Sequence, residues 1–251
     1  MSESVEVVVA HQARATLRVG DVFLKVDADR AAAEAEVAAM RAVPVPTAEV
    51  LWHHPPVLAL AALPGAALGR LGEPDHASTA AWAATGATIR RLHGAPVPSR
   101  PGRRGRERRE SVDRECAWLV EHDVVPADVV AANREIAEAA LRPCEPVFAH
   151  GDLQVAHVFV ADDAVTGVLD WSEAGAGDAA YDLATLTLGH RERLDDVLAG
   201  YGREVDVDAV RGWWSLRSLT AVRWLLEHGF DPALPGCEID VLHAQATAGA
   251  Q

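Results

Sequence analysis

Two short stretches place chemistry-bearing side chains at suggestive spacings: His150-Gly151-Asp152-Leu153-Gln154-Val155-Ala156-His157, and then Leu169-Asp170-Trp171. A carboxylate between a strand and a short loop, a potential ligand five residues on, and a second carboxylate ending the next strand suit phosphoryl transfer. Asp152 would orient an attacking hydroxyl and take its proton, while Asp170 and a second group hold a metal that bridges nucleotide phosphates. The spacing matches a kinase catalytic loop, with Gly151 where that loop usually carries arginine. A metal hydrolase built on His150, Asp152, His157 and Asp170 is the rival chemistry that these residue types allow.

A third reactive position stands out by composition. The chain has 251 residues and 23 basic side chains, of which all but Lys25 are arginine. A compact ammonium can act as a point charge on phosphate while also reaching a carboxylate, which a wide planar guanidinium does less readily. The formal net charge of −14 argues against a general nucleic-acid binder and tilts toward cationic partners. Cys116, Cys144 and Cys237 are far apart, with no metal-ligand spacing, which indicates neither a disulfide framework nor a zinc site and fits a reducing cytoplasm. No apolar run reaches the about 18 residues of a membrane span, and the first residues lack the pattern of a secretory signal. The expectation is therefore a soluble, unprocessed cytoplasmic protein with no membrane partner, as a monomer or homodimer.

The elements that must position these residues can be read from residue type. VEVVVA, ATLRV and DVFLKV are rich in β-branched residues and closely spaced, which predicts a small antiparallel sheet turning at Gly20-Asp21. The alanine-rich stretch 29–42 predicts a helix stopped by Pro44 and Pro46. AEVLW and PVLALAAL, either side of His53-His54-Pro55-Pro56, could complete the sheet. Beyond Pro64-Gly65 the pattern becomes helical, over 77–93, 107–122, 128–142, 179–189, 191–201 and 208–228. A strand hairpin at Asp162-Asp163 interrupts these helices. The fold expected is α+β with two lobes: residues 1–62 as a sheet-rich N-lobe with one helix, and 63–251 as a helical C-lobe, with a ligand cleft between them. The arginine-rich run 100–109 reads as a solvated loop before a helix rather than a phosphate-contacting loop.

With those elements in place the chain resembles the aminoglycoside phosphotransferase family of kinase-like small-molecule phosphotransferases. The stretches that carry the resemblance are HGDLQVAHVFV, GVLDWSEAGAGDAAYDLATL, FLKV with its following helix, and PVLALAALPGAALG. The resemblance implies a protein-kinase-like fold and transfer of the γ-phosphoryl group of ATP or GTP, with Mg²⁺, to a hydroxyl of a small molecule. It further implies that Lys25 contacts phosphates, that a helix glutamate pairs with it, and that backbone groups near Ala59, Leu60 and Ala61 hold adenine. Asp152 would be the catalytic base and Asp170 a metal ligand. Of the two helix glutamates, Glu36 lies nearer the stripe of Ala33, Val37 and Met40 that should face the sheet, and Glu34 lies roughly opposite.

The chain departs from the family pattern in two places. His157 stands where asparagine is usual, and imidazole suits Mn²⁺ or Zn²⁺ better than Mg²⁺. His157 could ligate such a metal, hydrogen-bond a phosphate, hold Asp152, or pack as a neutral histidine beside an Asp170 that holds the metal alone. The first hairpin lacks a glycine-rich loop over the phosphates, which leaves Gln12 and Arg14 as substitutes and keeps a catalytically degenerate nucleotide- or metabolite-binding protein as the alternative. For a cationic acceptor, such as an aminoglycoside-like antibiotic or an amino alcohol, Glu173, Glu227 and Asp231 are the candidate contacts. Asp178 reads as a helix N-cap, and Asp182 as a brace for the catalytic loop. Trp214, Arg217, Ala221 and Trp224 share a helical stripe and read as core.

Overall fold

A computed structural model describes residues 5–10, 14–100 and 105–248, with side chains left undescribed over 105–110. Gln12 and residues 101–104 of the arginine-rich run therefore lie outside the described residues, and from Gly105 onward the run is helix rather than the expected loop.

Five strands form one antiparallel sheet: β1 (Val5–Ala10), β2 (Arg14–Val19), β3 (Val22–Asp27), β4 (Val50–His54) and β5 (Val57–Ala61), in the order β1-β2-β3-β5-β4. The register sets Lys25 opposite Thr16 on one side and Leu58 on the other. Helix α1 (Arg30–Ala42) starts where the Asp29 side chain accepts from the Ala31 and Ala32 amides, and stops ahead of Pro44. Its buried face comprises Ala33, Glu36, Val37, Ala39 and Met40, so a carboxylate is carried under the sheet with the apolar side chains.

From residue 66 onward the strands belong to other sheets. A short β6 (Ala66–Ala67) pairs with β8 (Val158–Ala161), which pairs with β9 (Ala164–Val168). The β8–β9 turn uses the expected Asp162 and Asp163, both with positive φ. A further pair, β7 (Val147–Ala149) with β10 (Gly175–Gly177), brackets the HGD and LDW motifs; β10 was not anticipated.

Helices α2 (Thr79–His93), α3 (Gly105–Glu121), α4 (Ala127–Ile136), α5 (Ala179–Thr187), α6 (Leu194–Tyr201) and α7 (Val207–Glu227) follow the predicted order. The helix expected over 128–142 tightens after Ile136 into a 3-10 turn, Ala137–Leu141. There α7 presses close: a Cβ on Gly212 would lie 2.6 Å from the Ala140 nitrogen. A last helix, α8 (Glu238–Ala248), was not expected. The core runs from Val37 and Leu58 under the sheet through Trp82, Leu119 and Trp171 to Leu219 and Leu242.

Candidate active site

Lys25, Glu36 and Asp170 converge. The Lys25 ammonium donates to Glu36 Oε1 at 2.6 Å and to Asp170 Oδ1 at 3.1 Å, with only 12% of its side chain exposed. Glu36, and not Glu34, is the helix carboxylate that Lys25 meets. Burial pushes the Glu36 carboxyl above its usual range, against the pull of the Lys25 charge. Asp170 goes the other way: burial alone would raise it, but Lys25, His157 and Arg14 together hold it well below the usual carboxylate range. Arg14, at the start of β2, binds Asp27 at 2.8 Å and reaches within 3.6 Å of Asp170 Oδ1.

The strand end that carries Asp170 is tied down on both sides. The Val168 amide donates to Pro46 O, and the Leu169 amide to His157 O, each at 2.9 Å. The indole of the fully buried Trp171 donates to Val168 O at 2.9 Å and Thr47 Oγ1 at 3.0 Å. Asp170 itself adopts the left-handed conformation, φ 62°, which turns its carboxylate toward Lys25.

The catalytic-loop motif hangs from Asp182, which is fully buried on α5. Its oxygens accept from the His150 amide at 2.7 Å, the Gly151 amide at 2.9 Å and His93 Nε2 at 3.0 Å. Burial works against the Asp182 anion, but the His93 hydrogen bond and the Gly151 amide outweigh it and lower its pKa. Gly151 is required here: at φ +86° a Cβ would stand 2.3 Å from Glu173 O, so no arginine fits.

His150 Nε2 donates to Leu169 O at 2.8 Å and its Nδ1 accepts from the Asp152 amide at 3.2 Å. Both ring nitrogens are thus occupied and burial lowers the pKa of the ring, which removes His150 from any metal site. His157 Nδ1 donates to Asp152 O at 2.9 Å, since a carbonyl can only accept. That leaves Nε2 as the free lone pair of the neutral ring, 3.9 Å from Asp170 Oδ2. The Asp152 carboxylate accepts from Gln154 Nε2 at 3.0 and 3.2 Å.

Asp152 and Asp170 open on a cavity of about 700 Å³ that is also lined by Arg14, Glu173 and, from α5 and α7, Tyr181, Trp213, Arg217 and Trp224. The sequence model of the phosphotransferase enzyme family matches residues 2–218. The chain belongs to this family.

Streptomycin 3''-kinase of Streptomyces griseus is 33% identical over 153 residues, 54% of each chain, so the match spans about half the length of that curated relative. Solved phosphotransferase structures share the fold, among them the three that follow. The GDP complex of an aminoglycoside 2'-phosphotransferase has a TM-score of 0.72 at 16% identity and covers 99% of this chain and 94% of its own. An unliganded macrolide 2'-phosphotransferase from Brachybacterium faecium gives 0.63 at 22%, covering 95% and 91%. A spectinomycin phosphotransferase with ADP and spectinomycin gives 0.68 at 12%, covering 96% and 92%. The expected two-lobe, kinase-like α+β fold is therefore the fold of this phosphotransferase-family chain.

Other expected positions fall elsewhere in this family member. Ala59, Leu60 and Ala61 lie inside β5 and are committed on both sides: Ala59 and Leu60 pair with β3 and β4, and Ala61 pairs with Val22 while its amide donates to Glu49 O. The sheet therefore encloses Ala59 and Leu60, and Ala61, the last residue of β5, is the most open of the three positions expected to hold adenine. Glu173 lines the cavity, whereas Glu227 pairs with Arg223 at 2.8 Å and Asp231 caps a turn at Ala233; neither lines it. Asp178 caps α5 as expected, through the Ala180 amide, and also accepts from the Trp213 indole at 2.7 Å. The aromatic stripe of α7 divides: Trp214 is buried, while Trp224 is 48% exposed and faces the cavity with Arg217. Arg14, one of the two expected substitutes for a glycine-rich loop, lines the cavity, and Arg217 is the site residue that residue patterns gave least sign of.

Proposed function

We propose that this chain transfers the γ-phosphoryl group of ATP or GTP to a hydroxyl of a small molecule bound in the 700 Å³ cavity. The observation that carries this reading is the joint placement of Asp152 and Asp170 on that cavity, with Lys25 bridging Asp170 to Glu36. Asp152 is the proposed base. Gln154 holds its carboxylate, and His157 holds its backbone, so the group is oriented before substrate arrives. The acceptor oxygen bonds to the γ-phosphorus as the bond to the β–γ bridging oxygen breaks, and the hydroxyl proton passes to Asp152. The nucleoside diphosphate leaves with the electron pair. Lys25, aligned by Glu36, and Arg14 would meet phosphate oxygens.

The donor set near Asp170 fits a divalent metal: one carboxylate oxygen and one imidazole nitrogen, 3.9 Å apart, with the other carboxylate oxygen taken by Lys25 and Ser172. Among the described residues no group of three or more His, Cys, Asp or Glu could hold a metal alone, so phosphate oxygens and water would complete the shell. A bound Mg²⁺ or Mn²⁺ would neutralise phosphate charge. The same observation, with His150 fully occupied, weighs against the metal hydrolase.

Glu173 supports a cationic group on the acceptor, in keeping with a relative named for streptomycin. The lobe boundary is proposed at residue 62, between the five-stranded sheet and the strand that joins β8. A cytoplasmic location is proposed on the three free cysteines. Incubation with ATP or GTP, Mg²⁺ or Mn²⁺ and a panel of aminoglycosides, amino alcohols and sugars, read by mass spectrometry, tests the reading. Nucleotide binding without transfer to any acceptor and without slow hydrolysis would point instead to the degenerate binder.

A further inference from the structure

Arg217 is a cation on the acceptor wall of the cavity, facing the proposed base. It comes from the middle of α7, with 16% of its side chain exposed. One guanidinium nitrogen is fixed by Glu238 Oε1 at 3.0 Å, and Glu238, on α8, is itself 3% exposed. The other terminal nitrogen points at Asp152 Oδ1 from 3.9 Å, beyond hydrogen-bond range. A buried guanidinium is costly unless anions surround it. Glu238 answers half of that requirement, and the other half faces the place where the reacting groups would meet.

The position has a chemical meaning. A hydroxyl held by Asp152 lies within about 3 Å of its carboxylate. A guanidinium nitrogen 3.9 Å from the same carboxylate oxygen therefore flanks the point where the new oxygen–phosphorus bond forms. Lys25 is engaged elsewhere, with Glu36 and Asp170. The arginine usual in a kinase loop is excluded at Gly151 by the backbone of Glu173. Among the described residues that line the cavity, Arg14 and Arg217 are the cations, and Arg14 sits on the Asp170 side.

We propose that Arg217 contacts the transferring phosphoryl group from the acceptor side and is a catalytic residue of the reaction. This rests on the phosphotransfer reading above. As the β–γ bond lengthens, negative charge on the equatorial oxygens meets a preplaced guanidinium held by Glu238, and no side chain has to reorganise at that moment. Arg217 thereby does in one chain what an arginine supplied by a second protein does for other nucleotide-hydrolysing enzymes.

The test needs no acceptor. Binding of ADP and of GDP, each with Mg²⁺, is measured by calorimetry with and without aluminium fluoride, which mimics the phosphoryl group in transfer. The wild type should bind the fluoride complex at least tenfold tighter than the plain diphosphate. Arg217→Met should lose that gain while its affinity for the plain diphosphate stays within twofold, and Arg217→Lys should recover part of the gain. If Arg217→Met unfolds because Glu238 is left buried and unpaired, the double variant Arg217→Met/Glu238→Gln removes both charges and serves in its place. An equal gain in the variant, or no gain in a wild type that binds plain diphosphate, overturns the assignment of Arg217 alone. A wild type that binds neither diphosphate overturns the phosphotransfer reading and this assignment with it.

Discussion

Lys25 and Asp170, 145 residues apart in the chain, meet at 3.1 Å, and the same ammonium holds Glu36 at 2.6 Å. One small cation thus joins the third strand, the first helix and the end of β9. A guanidinium in this largely buried space would have to splay its planar fork between two carboxylates placed for a point charge. Lys25→Arg should therefore lower kcat/KM by about 100-fold or more, with weakened nucleotide binding, as measured by single-turnover transfer and by titration with ATP and GTP. Unchanged affinity and rate would make the lone lysine an accident of composition.

The His157 geometry makes a separate prediction. With Nδ1 donating to Asp152 O, the lone pair on Nε2 faces the space beside Asp170 Oδ2. Imidazole nitrogen favours Mn²⁺ over Mg²⁺ relative to an amide oxygen. The Mn²⁺/Mg²⁺ activity ratio of His157→Asn should fall several-fold below that of the wild type. An identical ratio would confine His157 to holding the loop.

Much of this site was legible along the chain, because the HGD and LDW stretches are local and their spacing survives without tertiary information. Glu36 was legible too, since helix periodicity alone puts it on the stripe with Val37 and Met40. Arg217 was not. It shares a helical face with Trp214 and Ala221, and periodicity cannot tell a core stripe from a cavity wall; only the packing of α7 against Asp152 and α8 separates them. Helix α8 escaped notice because its buried Val241, Leu242 and Gln245 form a narrow, partly polar face. The place of β5 was equally hidden: an apolar run announces a strand, but whether that strand is central, with both edges paired, depends on sheet order.

Asp182 ties acid sensitivity to the loop. Its carboxyl sits below the ordinary aspartate range in the folded chain, so its stabilisation is fully present above the unfolded value of about 4 and is lost as pH falls through the lower folded value. Asp182→Asn leaves one oxygen for three donors and turns an amide toward backbone N–H groups. It should cost about 3 kcal/mol at neutral pH, and urea unfolding should show the gap between wild type and variant narrowing below about pH 4. A gap that did not change with pH would mean that the anion contributes nothing.

Gly151→Ala tests the loop without touching any charge. The added Cβ would lie 2.3 Å from Glu173 O at a backbone φ of +86°. Strain of this kind costs about 2 kcal/mol, and its relief moves the Asp152 backbone, so both the urea midpoint and kcat should fall. A variant as stable and active as the wild type would show that the loop has room that this geometry denies.

Acceptor recognition divides the three acidic candidates. Glu173 lines the cavity, and its backbone oxygen lies over Gly151, whereas Glu227 is held on the surface of α7 by Arg223. For a cationic acceptor, Glu173→Gln should raise the acceptor KM about tenfold, the worth of one charge-assisted hydrogen bond, and leave the nucleotide KM unchanged. Glu227→Gln and Asp231→Asn should leave both constants near those of the wild type, because no acceptor confined to the cavity reaches them. Steady-state kinetics with each substrate varied in turn checks this, and a larger effect at Glu227 than at Glu173 would move the acceptor out of the cavity to the exposed end of α7.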